Sequence, residues 1–203
     1  IWAEWADLYA FKHDGRGLYS PDGLLKNGPG NALGTPAIGD INLDGDLEIV
    51  CCGGSWSDSL YVWDRYGNYL PPFPVFIQSE CRLRRSVVLG DVLGDGRLEI
   101  CFYADSTFKV YLVDASGNIL WSRYVPQPYD VDASPIIADL TGDGRPEIIC
   151  GSNQYLTVFD SLGNVLPQFP PNNEHDWKSP IVVDVDNDNA MDVVIGSSNC
   201  ELY

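Results

Sequence analysis

The sequence predicts an all-β protein assembled from about four repeats of one four-stranded unit, and three observations carry that prediction. A nonamer of the form Asp-x-(Asn/Asp)-x-Asp-Gly-x-x-(Asp/Glu) occurs four times, beginning at Asp40, Asp91, Asp139 and Asp184, at intervals of 51, 48 and 45 residues. Apolar, largely β-branched runs follow it, as in Ile49-Val50-Cys51, Ile148-Ile149-Cys150 and Val193-Val194-Ile195, and read as buried strands. A further apolar segment closed by a glycine turn then follows in three of the four copies, and a period near 50 residues marks a repeat array.

Each unit opens on an inner strand that runs into the nonamer: Thr35 to Asp40, Ser86 to Asp91, Ser134 to Asp139 and Ser179 to Asp184. The second strand leaves the nonamer. The third is Leu60-Tyr61-Val62-Trp63-Asp64, Val110 to Asp114, or Leu156 to Asp160, and its turn ends in Gly67, Gly117 or Gly163. An outer strand follows, as at Asn118 to Trp121 and Asn164 to Leu166. Four short strands per unit of this length make a β-propeller blade, whose radial stacking leaves few exposed sheet edges.

Within the nonamer, alternate carboxylates at positions 1, 3 and 5 aim hard oxygens into one concavity and repel one another unless a cation is present. Calcium suits such a site because it accepts six to eight oxygens in a flexible shell, whereas magnesium demands a tighter octahedron. The expected ligands are Asp40, Asn42, Asp44, Asp46 and Glu48; Asp91, Asp95, Arg97 and Glu99; Asp139, Thr141, Asp143, Arg145 and Glu147; and Asp184, Asp186, Asp188, Ala190 and Asp192. Asp46, Arg97, Arg145 and Ala190 occupy position 7 and serve through the main-chain carbonyl, so their side chains are immaterial. Position 6 must turn sharply and favours a positive φ, which Gly45, Gly96 and Gly144 adopt freely and Asn189 tolerates. Leu93 offers no side-chain ligand at position 3 and Thr141 only a hydroxyl, so the expected order of affinity places 184–192 and 40–48 above 139–147, with 91–99 last.

An EF-hand loop begins in the same way but requires a bidentate Glu at position 12 between two helices. Position 12 is here Cys51, Phe102, Cys150 and Ile195, and strands flank the loop. Acidic glycine turns also occur as plain solvated hairpins. Four in register, each restoring a carboxylate at position 9, favour the metal.

The pattern Gly-Asp-x-(Asn/Asp)-x-Asp-Gly-x-x-Glu-Ile-Val, followed by Leu-Tyr-Val-Trp-Asp and a glycine turn, resembles the FG-GAP/VCBS-type repeats of extracellular β-propellers, a group that includes the integrin α-subunit head. The resemblance covers nearly the whole chain. It implies calcium in inter-strand loops, a secreted or cell-surface setting, and adhesion or scaffolding.

Composition agrees with a folded, acidic module. The 203 residues are 45% hydrophobic and 12% aromatic, with a formal net charge of −17. Nearly half of the acids lie in the nonamers, where calcium would offset them, and the sign of the charge argues against nucleic acid and anionic membrane as partners. No run approaches the ~20 apolar residues of a spanning helix. Cys51, Cys101 and Cys150 fall at near-equivalent strand positions occupied elsewhere by Val, Ile or Phe, so they read as buried free thiols; Cys52, Cys81 and Cys200 stay open between thiol and disulfide. Leu8-Tyr9-Ala10-Phe11 and Leu202-Tyr203 belong to the same strand type, from which an excerpt of a longer propeller, or pairing with a neighbouring copy, is expected.

Every acidic cluster is used alike and none stands out as a reaction centre. The expectation is therefore no enzyme, but an adhesion, scaffold or self-assembling module that binds protein, glycan or copies of itself. The alternative is part of a polysaccharide lyase-like propeller enzyme. His13 and His175 are the available histidine bases and neither lies in a recognisable triad. Arg82, Arg84 and Arg85 form a basic cluster that either grips an acidic ligand or pairs with neighbouring acids.

Overall fold

The repeated strands assemble as the sequence orders them. In a computed structural model, residues 7–28, 34–53, 58–78, 83, 86–125, 133–151, 156–166 and 179–195 are described, and they contain fifteen strands and no helix. A two-stranded sheet, β1 (Leu8–Tyr9) and β2 (Leu24–Lys26), comes first. Two complete antiparallel sheets follow: β3 (Ala37–Gly39), β4 (Glu48–Cys52), β5 (Ser59–Trp63) and β6 (Val75–Phe76), then β7 (Val88–Gly90), β8 (Glu99–Ala104), β9 (Lys109–Val113) and β10 (Ile119–Tyr124). The fourth sheet holds β11 (Ile136–Ala138), β12 (Glu147–Gly151) and β13 (Leu156–Phe159), and the last holds β14 (Ile181–Val183) and β15 (Asp192–Val194). Each nonamer connects the first two strands of its sheet, with register fixed by pairs such as Gly39 with Glu48 and Gly90 with Glu99.

The central strands are buried on both faces, which explains their continuous apolar runs. Along β8, Ile100, Phe102 and Ala104 enter a core shared with Val50, Cys52, Leu60 and Val62 of the preceding sheet. Cys101 and Tyr103 point the other way, into a core with Ile148, Cys150 and Phe159 of the following sheet. A third core joins Leu8 of β1 to Cys51, Tyr61 and Trp63. Each of the two complete sheets is thus packed face to face between two neighbours through strands of period two, the stacking of propeller blades. Removing a fully buried side chain such as Phe102 would cost about 3–5 kcal/mol.

The inner strands approach most closely at glycine. A Cβ on Gly39 would lie 2.9 Å from Leu89 Cδ1 and 2.7 Å from Leu98 Cδ1, and one on Gly90 would lie 2.6 Å from Ile137 Cγ2. At the periphery Trp121 packs on Phe159 of the next sheet, with ring centroids 6.0 Å apart, and its Nε1–H donates to the Ser161 carbonyl at 3.0 Å. Arg123 lies over the Trp121 ring and donates to the Gly163 and Leu162 carbonyls. Trp121 is a bolt between blades.

Cys51, Cys101 and Cys150 are buried free thiols, and so is Cys52. Burial pushes the Cys51 and Cys150 thiols up to about 12, so they act as small apolar residues. Cys81, Cys200, Arg82, Arg84, Arg85 and His175 lie outside the described residues, as do Leu202 and Tyr203 of the chain-end expectation. Of the outer strand expected at Asn164 to Leu166, Val165 makes an isolated bridge to Phe159. Leu8 and Tyr9 pair with β2 as a third strand pairs with an outer one, as the sequence suggests.

Candidate metal centres

Each nonamer is held by its own carboxylates before any cation is considered. Asp40 accepts from the amides of Asp44 at 3.1 Å and Gly45 at 2.9 Å through its two oxygens. Asp91 does the same for Asp95 and Gly96, both at 2.9 Å. Asp184 repeats the arrangement for Asp188 and Asn189, whereas Asp139 accepts from Gly142 and Gly144. The position-5 carboxylate accepts from the amide at position 7 in all four loops: Asp46, Arg97, Arg145 and Ala190. These are Asx-type bonds, and they explain why Asp and Asn recur where a turn must be fixed by side chains.

Position 9 has a role that the sequence pattern does not reveal. Glu48, Glu99 and Glu147 are buried and turn back onto the start of the loop. Glu99 Oε2 accepts from the amides of Val92 at 2.8 Å and Leu93 at 3.1 Å, Glu147 accepts from Leu140 and Thr141, and Glu48 from Ile41. Asp192 reaches the Val185 amide at 2.9 Å. Burial raises the pKa of Glu48 and Glu99, the amide bonds oppose that, and the neighbouring aspartates raise it further. A cation nearby would relieve both the desolvation and the repulsion.

The four loops differ in the donors they gather. In 184–192, one oxygen from each of Asp184, Asp186 and Asp188 lies within 4.8 Å of the others, and among the described residues this is the one such trio of acidic, His or Cys side chains. Three converging carboxylate oxygens suit a hard divalent cation. In 40–48, Asn42 replaces the middle carboxylate: its Oδ1 accepts from the Asp44 amide and its Nδ2–H donates to Asp44 Oδ2 at 2.9 Å. Asp46 turns its carboxylate outward to Arg65 at 2.7 Å, leaving position 7 with its main-chain carbonyl. Thr141 donates its hydroxyl to Glu147 Oε1 at 3.2 Å. Leu93 contributes nothing from its side chain. His13 is exposed and far in sequence from every nonamer.

A second left-handed position escapes the motif as read from the sequence. Position 6 has positive φ in all four loops, at Gly45, Gly96, Gly144 and Asn189, but so does position 4, at Leu43, Gly94, Gly142 and Asn187. Glycine or asparagine at position 4 in three copies was the available signal. The third-strand turns hide another regularity: Asp64, Asp114 and Asp160 each accept from the main-chain and side-chain amides of Asn68, Asn118 and Asn164.

Doubly packed antiparallel sheets with an acid-lined loop between their first two strands define a β-propeller, and one of its loops gathers three carboxylates that could hold a metal ion. The chain belongs to the family of FG-GAP-like repeats, whose family model matches residues 40–102, 91–150 and 139–195. No curated protein sequence matches it. Among solved structures, the V. cholerae biofilm matrix protein Bap1 is similar at a TM-score of 0.59 and 18% identity, over 92% of this chain and 32% of Bap1. The chain thus spans about a third of that protein. The computationally designed Ika4 protein is similar at a TM-score of 0.59 and 15% identity, over 87% of this chain and 91% of Ika4. BamB from Moraxella catarrhalis follows at a TM-score of 0.53 and 14% identity, over 83% of this chain and 41% of BamB. At these identities the likeness is one of fold.

Proposed function

We propose that this chain is a calcium-binding, non-enzymatic propeller module of the cell exterior that serves as an adhesion, scaffold or self-assembling element. The observation that supports it most is the Asp184, Asp186 and Asp188 trio, set in a loop frame that the chain repeats four times. Calcium held there would cross-link the turn between the first two strands of a blade and offset local repulsion; the chain's own part is to hold the oxygens in place through the amide bonds described above. Similarity in fold to a biofilm matrix protein supports a scaffold role. So does the placement of all four acidic loops at the same turn, between the first two strands of a sheet. Protein or glycan ligands, or further copies of the chain, are the partners this reading implies. Among the described residues no helix is long and apolar enough to cross a membrane.

Thermal unfolding with and without a calcium chelator tests the metal. A ligand bound only to the folded state at a hundredfold excess over its dissociation constant adds about 2.7 kcal/mol per site, so chelation should lower the melting temperature by several degrees and calcium, but not magnesium, should restore it. An unchanged melt together with no metal by elemental analysis overturns the reading. Turnover on acidic polysaccharides, assayed with calcium present, would overturn its non-enzymatic part.

A further inference from the structure

Two turns from neighbouring sheets bring a pair of exposed tyrosines together. Tyr19 lies in the connection between β1 and β2, and Tyr66 in the turn that follows β5. Their ring centroids are 5.6 Å apart with the planes tilted by 36°, and the two residues are 54% and 55% exposed. The sheets are seated against each other beside this pair: a Cβ on Gly67 would lie 2.9 Å from the Leu25 carbonyl oxygen, and Lys26 of β2 lies over the Tyr69 ring, 5.1 Å from its centroid.

Tyr66 is fixed further by its neighbour. Arg65 Nη2–H donates to the Tyr66 hydroxyl oxygen at 2.9 Å, and the guanidinium stands 5.0 Å from the ring centroid. Arg65 is anchored in turn on Asp46 of the first nonamer. An arginine only donates, so the phenolic hydrogen of Tyr66 points away from it and is free to leave to water.

Exposure and chemistry separate this pair from the other aromatic contacts. Tyr61 and Tyr69 have centroids 6.2 Å apart, but Tyr61 is buried. Tyr9 stacks on Phe11 and Tyr111 on Phe102, and phenylalanine carries no hydroxyl to oxidise. Among the described residues, Tyr19 and Tyr66 are the one pair of tyrosines in ring contact that both face solvent.

We propose that Tyr19 and Tyr66 form an oxidative cross-linking site, converted to dityrosine by a one-electron oxidant of the haem-peroxidase class with hydrogen peroxide, which staples the first sheet to the second. Each phenol gives up one electron and its hydroxyl proton. The two phenoxyl radicals join through a carbon ortho to each oxygen, and the hydrogens at those carbons move to the oxygens and restore the phenols. One hydrogen peroxide takes up the two electrons and two protons as two waters. Exposed side chains change rotamer in picoseconds to nanoseconds, so the ortho carbons meet by side-chain rotation with the main chain in place. Arg65 is the positioning residue. The site goes beyond the scaffold reading and requires no metal; a covalent link between residues 19 and 66 restricts the unfolded chain, as a disulfide does, and so stabilises the fold.

The test oxidises the full chain with a haem peroxidase and hydrogen peroxide, at a protein concentration low enough to keep links within one chain. The single chain should acquire the blue emission of dityrosine, lose two hydrogens in mass, and yield on proteolysis a peptide containing Tyr19 joined to one containing Tyr66. Its melting temperature should rise by several degrees. Tyr19→Phe and Tyr66→Phe, both at exposed positions, should each lower the single-chain emission at least tenfold; Arg65→Ala should lower it at least threefold, and Arg65→Lys should restore it. No emission, emission retained in either phenylalanine variant, a link that maps to other tyrosines, or links found only between chains overturns the proposal. An undiminished yield in Arg65→Ala overturns the part assigned to Arg65. Calcium titration of the same samples reads the metal separately, so neither result decides the other.

Discussion

The loops at 184–192 and 91–99 have nearly the same frame but gather different donors. Both tie position 1 to the amides at positions 5 and 6, and position 5 to the amide at 7. Only the first brings three carboxylates within 4.8 Å; the second has Leu93 in the middle and compensates with two amides bound to a buried Glu99. The frame of the loop is carried by carboxylate-to-amide bonds, and the number of converging acidic donors by the residue at position 3. A copy without an acidic residue at position 3 still serves as a blade turn.

Exchanging that residue breaks the comparison most sharply. Asp186→Leu should abolish calcium binding at 184–192 and remove the roughly 2.7 kcal/mol that a well-filled site contributes, while Leu93→Asp should create a trio at 91–99 and gain at least tenfold in affinity, about 1.4 kcal/mol. Calorimetry on the two variants and their combination reads both effects. Tighter calcium binding at 91–99 than at 184–192 in the unaltered protein would show that loop geometry, not donor count, sets affinity.

The next effect separates the two frames without metal. Glu99→Ala leaves the Leu93 amide without its acceptor and the Val92 amide with only the Gly90 carbonyl and should cost about 1–3 kcal/mol in chelator, whereas Asp192→Ala, whose amide partner Val185 is exposed, should cost less. Denaturant unfolding of both variants decides it, and equal losses would remove the distinction.

Position 4 gives a smaller effect of opposite sign. Leu43 holds a φ of 60° that its equivalents Gly94 and Gly142 adopt freely, and a left-handed residue with a Cβ costs about 1–2 kcal/mol. Part of that is returned as chain entropy on changing to glycine, so Leu43→Gly should stabilise by up to about 1 kcal/mol. A lower melting temperature for this variant would mean that the exposed Leu43 side chain makes contacts worth more than the strain.

The smallest effect extends the same carboxylate-to-amide device to the hairpin turns. Burial pushes the pKa of Asp64 and Asp160 up, but bonds from the Asn68 and Asn164 side chains and from main-chain amides outweigh it and hold both below the usual value of 3.8. A carboxyl depressed in the folded state stabilises above its unfolded pKa and loses that contribution as pH falls through the folded value. Asp64→Asn should therefore flatten the acid side of the stability profile below about pH 4, measured in chelator so that the loops do not interfere; an unchanged slope would assign the acid loss elsewhere.

Continuous apolar runs and the nonamer period were enough to place the inner, second and third strands of the described repeats, because each central strand is buried on both faces. The convergence of Asp184, Asp186 and Asp188 was equally legible, since that copy alone carries aspartate at position 3. Three features were decided by tertiary structure. Position 9 proved to be a buried brace on the loop's own amides because its direction depends on the sheet beneath it. The left-handed turn at position 4 was masked by Leu43, which adopts a conformation its type disfavours because the flanking bonds impose it. And the contrast between buried Ile41 or Val92 and exposed Val185, residues of like kind at one position of the repeat, arises from whether a neighbouring sheet covers that face, which the sequence of a single unit does not specify.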